Sequence, residues 1–129
     1  MLLLACTSLL LAACYRKNSV DATTATGMQR LGMLHQMATK FAEEHDGQWP
    51  STLEKPAEYG ISRGVPEIRN WTSWPYEEGA HFRYSQPLPG APPTQIVVVT
   101  PTYSVEGEPR FLEITKGGRV HRRVSGDAH

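Results

Sequence analysis

The side chains that could do chemistry are scattered along this chain. His35, His45, Asp46, His81 and His121 are candidate metal ligands, since imidazole and carboxylate are common zinc donors. No two of these histidines have the His-x-x-x-His spacing that puts both rings on one helical face, and no cysteine cluster accompanies them. His45 and Asp46 are neighbours and diverge on a helix. No metal or cofactor is therefore expected, and the histidines read as hydrogen-bonded or solvated. A nucleophilic serine would need a Gly-x-Ser-x-Gly elbow, which is missing. Glu43 with Glu44 and Glu77 with Glu78 are adjacent pairs that face different ways and make no acid/base couple by spacing. The chain is expected to be non-enzymatic; an enzyme would require two or more of these histidines and acids to meet in one cleft.

The cysteines are more informative. From Met1 to Tyr15 there is no charged side chain, and the run is rich in leucine and alanine before Arg16 and Lys17. A spanning helix needs about 20 apolar residues, whereas a secretory leader needs an apolar core of about 7 to 15 followed by small residues. The segment therefore reads as a signal peptide. Its end, Leu11, Ala12, Ala13 and Cys14, resembles the lipobox of bacterial lipoproteins. That resemblance implies that residues 1–13 are removed with Cys6, that Cys14 becomes the lipidated first residue, and that no thiol is left to pair. The leader lacks the usual basic start, so we expect the true start to lie upstream.

The rest of the chain must position whatever the protein presents. Residues 14–25 are polar and aperiodic, a tether between lipid and domain. A single domain is expected over 26–129. Met28, Leu31, Leu34, Ala38, Phe41 and His45 recur at spacings of three and four, widened by Met37 and Ala42, which predicts an amphipathic helix of about 20 residues. Thr26 with Gln29 resembles a capping box, and Asp21, Thr23 and Thr24 are alternative caps for an earlier start. Asp46-Gly47 supplies the stop. Gly32, costly in a helix interior, is expected to mark the close approach of another element. One or two helical turns follow Ser51, with Trp49 and Leu53 turned inward, and then a packed irregular loop over 60–79. The strands expected are AHFRYS, a central QIVVVT, and RFLEIT paired with RVHRRV across Lys116-Gly117-Gly118. The class is α+β: a long N-terminal helix packed on a C-terminal antiparallel meander of about four strands.

A long helix, then Gly47, Gln48, Trp49, Pro50, Ser51, Thr52 and Leu53 in a Gly-x-x-Pro-x-x-Leu phrase, then a loop and an antiparallel sheet, is similar to the globular part of type II secretion pseudopilins and type IV pilin-like proteins. The closing hairpin ITKGGRVHRRV resembles their final strand pair. The resemblance implies a pilin-like fold from about Met28 to Val124. It departs at the N-terminus, where a pilin has a basic leader and a long apolar assembly helix; a lipid anchor in that place argues against an ordinary filament subunit. Some pseudopilins bind calcium through acidic loops, and Glu106-Gly107-Glu108 is the nearest counterpart, but it falls short of a calcium oxygen shell and reads as a solvated turn.

Two surfaces could meet a partner. Arg119, His121, Arg122 and Arg123 form the densest charge feature, read either as a patch for anionic headgroups, wall polymer or an acidic partner, or as an edge strand guarded by charge. Trp71, Trp74 and Tyr76 could form a stacking platform for a glycan or a partner's anchor, or complete a small core. Thirteen basic and thirteen acidic residues cancel, so no global field draws nucleic acid. The expectation is a lipoprotein held at the membrane by Cys14, with its domain outside the cytoplasm on the periplasmic side. It would contact a protein partner, possible contacts being Trp71, Trp74, Tyr76, Arg119, Arg122 and Arg123, with a link to type II secretion or pilus-like machinery. The alternative is a lipoprotein that binds a small ligand or glycan through the aromatic loop 71–76.

Overall fold

The computed structural model describes residues 21–53 and 72–126. The expected leader, Cys14, Trp71, most of the helical turns expected after Ser51 and residues 60–71 of the expected loop lie outside the described residues. One helix and a five-stranded antiparallel sheet are present, which makes the domain α+β.

Helix α1 runs Ala22–Glu43, beginning inside the stretch assigned to the tether. Its N-cap is Asp21, whose carboxylate accepts the Thr24 N–H at 3.2 Å and satisfies one of the donors a helix start leaves open. Thr26 instead sits within the second turn and bonds the Ala22 carbonyl. At the other end Asp46 and Gly47 both take positive φ, 57° and 80°, and the Gly47 N–H returns to the Ala42 carbonyl at 2.7 Å. The buried face carries Thr24, Gly27, Leu31, Leu34, Met37, Ala38 and Ala42. The core it enters includes Trp49, Leu53, Trp74, Phe82, Val97, Val98, Tyr103, Leu112 and Ile114.

Gly32 is not the point of close approach: a Cβ there would meet nothing within 4 Å. Gly27 is. A Cβ on Gly27 would lie 2.7 Å from Leu112 Cδ1 and 3.3 Å from the Trp74 ring, so the lack of a side chain lets α1 settle onto the sheet.

The strands are β1 (Arg83–Tyr84), β2 (Ile96–Val99), β3 (Tyr103–Val105), β4 (Glu108–Thr115) and β5 (Val120–Val124). β4 is the spine: β5 pairs along one side, while β2 and β3 share the other, β2 against Glu113 to Thr115 and β3 against Glu108 to Arg110. β1 closes the far side of β2. QIVVVT is thus central, as its unbroken apolar run requires, with Val97 and Val98 each 1% exposed. The sheet has one strand more than the sequence patterning suggests. β3 continues the line of β2 after a break at Pro101, which has no N–H to give. At that break the Thr100 N–H donates to the Leu112 carbonyl, and the Leu112 N–H donates to Thr100 Oγ1, at 2.9 Å each. The hydroxyl stands in for a main-chain carbonyl, so the ladder stays satisfied in a buried place.

Candidate functional site

The register of β4 and β5 decides what the basic strand presents. Antiparallel partners project to the same face, so Leu112 and Ile114, which meet α1, share that face with Arg122 and Val120. Phe111 and Glu113 share the opposite face with Arg123 and His121. Arg123 Nε donates to Glu113 Oε1 at 2.7 Å, an exposed pair of small energetic worth that nonetheless commits this guanidinium. Arg119 and Arg122 are exposed, Arg119 beside the three-residue turn Lys116, Gly117 and Gly118 and Arg122 in mid-strand.

That turn is tied to the helix. His35 Nε2 donates to the Lys116 carbonyl at 2.7 Å, and its ring meets Trp49 edge-on at 5.7 Å. Gly118 lies at φ 94° with His35 Cε1 only 3.1 Å from where its Cβ would stand, so both backbone freedom and space call for glycine. Thr115 Oγ1 accepts the Arg119 N–H, closing the turn.

The aromatic group is split between core and surface. Trp74 is 4% exposed, with its ring among Phe82, Tyr103 and Tyr76 at centroid distances of 5.4 to 5.8 Å. It therefore offers no free face to a glycan, and of its two readings it takes the one in which it completes the core and not the one in which it joins a stacking platform. Burial follows from the gap that Gly27 leaves for the indole. Tyr76 is half-exposed at 52%, its hydroxyl 3.1 Å from that of Thr26. Arg30 straps the same loop to α1 by donating to the Ser73 carbonyl.

The remaining chemistry-bearing residues do not converge. His45 lies on the Phe41 ring at 3.7 Å and bonds the Phe41 carbonyl. His81 bridges to Ser73, and His121 stands opposite Glu113. Among the described residues no three of His, Cys, Asp and Glu gather as metal ligands. Glu106 and Gly107 form a two-residue turn with φ 51° and 81°, and the Glu108 carboxylate is taken by Arg110 at 3.0 Å. Burial pushes the Tyr84 hydroxyl up to about 12; it donates to the Pro50 carbonyl at 2.6 Å and stays protonated. Tyr103 is also raised by burial, partly offset by its bond to Thr24 Oγ1 at 2.8 Å.

The patterning of single strands did not reveal one concavity. A groove of about 470 Å³ on the face away from α1 has Phe111 and Pro101 as apolar wall and His81, Arg83, Thr102 and Ser125 as rim. Its residues come from β1, β4, the β2–β3 break and the end of β5, and no local motif joins them.

Comparison with protein-family models, with curated proteins and with solved structures returns no match. No described helix is long and apolar enough to cross a membrane.

Proposed function

We propose that this chain is a lipid-anchored protein of the bacterial cell envelope, lipidated on Cys14, whose α+β domain is pilin-like and works by binding another protein. The observation that carries the reading is the charge-free run that ends in Leu11, Ala12, Ala13 and Cys14. A helix that begins at Ala22, so soon after that cysteine, supports it, because a short link would hold the domain near the bilayer surface. The pilin-like reading rests on the order of elements: a helix laid across an antiparallel sheet, the Gly47-to-Leu53 phrase at the helix exit, and a closing hairpin on Gly117 and Gly118. In this reading the domain lies on the periplasmic side, outside the cytoplasm, and serves type II secretion or pilus-like machinery as an anchored relative of the filament subunits.

The domain carries out no reaction in this reading. His35 and His45 support it, since each uses a ring nitrogen on a main-chain carbonyl and so holds the fold together.

Metabolic labelling with a palmitate analogue tests the anchor. Wild type should take up label and fractionate with membranes, and Cys14→Ala should do neither. Equal labelling of the two would sink the proposal.

A further inference from the structure

The register of the β4–β5 ladder fixes what the outer edge of β5 presents. Ser125 N–H to the Pro109 carbonyl and Thr115 N–H to the Arg119 carbonyl, at 2.8 and 2.9 Å, mark the hydrogen-bonded pairs of the β4–β5 ladder. Such pairs alternate with non-bonded ones, so His121 and Arg123 also turn their main-chain groups toward β4. Val120, Arg122 and Val124 turn theirs away from it. No described strand pairs on that side. The edge thus presents a donor and an acceptor at every second residue, the pattern that another strand completes.

Charge decides what that strand can be. A second copy would pair β5 with β5 across a two-fold axis, and centring the axis on Arg122 sets Arg122 against its own copy and Val120 against Val124. Like charges directly opposite are destabilising, and no carboxylate of the strand relieves them, because β5 holds none. Arg122 has exposed surface and no ion pair among the described residues, whereas Arg123 is already taken by Glu113. Val120 and Val124 flank Arg122 on the same face, both half-buried, and Val120 packs on the core.

We infer that β5 receives an extended segment of a partner protein in which an acidic residue sits opposite Arg122 and apolar residues lie two positions to either side. The segment adds a sixth strand to the sheet. Its acid pairs with Arg122, and its apolar side chains extend the row begun by Val120 and Val124. This rests on the reading that the domain acts through protein contacts, but not on the anchor: loss of labelling at Cys14 would leave the edge as it is, and failure of the edge would leave the anchor as it is.

Amide hydrogen exchange of the isotopically labelled full chain, followed by NMR, tests it. The probes are a short alternating Val/Thr peptide with one central glutamate and its central-lysine counterpart. At about ten times its Kd the glutamate peptide should slow exchange at Val120, Arg122 and Val124 about tenfold, leaving the already bonded His121 and Arg123 amides unchanged. The lysine peptide should bind about tenfold more weakly, and Arg122→Glu should reverse the order. Val124→Pro, which deletes an outward donor and no bond to β4, should fold and lose binding. Equal affinity for the two peptides, or binding without slowed exchange at those three amides, would overturn the inference. So would a β5-mediated dimer in sedimentation, or slowing produced by phosphatidylglycerol vesicles and not by peptide.

Discussion

Two glycines of one helix should respond to alanine with opposite sign. Alanine in place of an interior helical glycine gains about 1 kcal/mol from backbone entropy alone. At Gly32 nothing stands within 4 Å of the new methyl group, so that gain should appear in full. At Gly27 the methyl would lie 2.7 Å from Leu112 Cδ1 and 3.3 Å from Trp74, where carbon atoms prefer about 3.5 to 4.0 Å. Leu112 is 0% exposed and Trp74 4%, so neither can yield without moving core neighbours. Overpacking of this kind costs about 1 to 3 kcal/mol. The helix gain offsets part of it, leaving Gly27→Ala destabilised by about 1 kcal/mol and Gly32→Ala stabilised by about the same. A separation of about 2 kcal/mol is about 8 to 16 °C in Tm for a domain of this size. Thermal and urea unfolding followed by circular dichroism would measure it. If both variants gained stability alike, α1 would not pack on β4 through Gly27, and the account of how helix and sheet meet would be wrong.

Further substitutions probe other joints. Thr100→Val removes the oxygen that accepts the buried Leu112 N–H and should cost about 1 to 3 kcal/mol in urea unfolding, whereas Thr100→Ser should restore most of it. Glu106 occupies the first position of a turn whose two central residues both have positive φ, so Glu106→Asn should raise Tm, equivalent to about 1 kcal/mol. Asp21→Ala should cost about 1 kcal/mol at neutral pH through loss of the cap. Burial raises the Asp21 carboxyl, but the Thr24 hydroxyl and the main-chain N–H bonds outweigh it and hold the pKa below the ordinary 3.8. The cap is therefore at full strength above that pH and fades as pH falls through the lowered value, so the difference between wild type and Asp21→Ala should narrow only in acid.

Long-range periodicity made much of this fold legible in the sequence. The three-and-four spacing from Met28 onward gave the helix its buried face, and the unbroken QIVVVT run gave the central strand, because both signals average over many residues. The Lys116-Gly117-Gly118 turn was equally plain, since glycine at its last position meets a need for positive φ. Shorter signals failed. β3 has only three residues behind Pro101, too few to show an alternation, although the Glu106-Gly107 turn that ends it is legible from its glycine. Gly27 and Gly32 look alike in sequence; only the position of Leu112 and Trp74 separates them. Trp74 was open to two readings, surface platform or small core, and what decides for the core is the same missing side chain, opposite which its ring lies. The basic strand was visible as charge, but which main-chain groups face outward depends on a register that no single strand encodes.

The most direct measurement is mass spectrometry of the mature N-terminus from membranes of the native host. Trypsin cleaves after Arg16, so the account predicts a peptide of Cys14, Tyr15 and Arg16 carrying diacylglycerol on the cysteine sulfur, with residues 1–13 gone. An unmodified Cys14 in a longer or differently cut N-terminal peptide would contradict it.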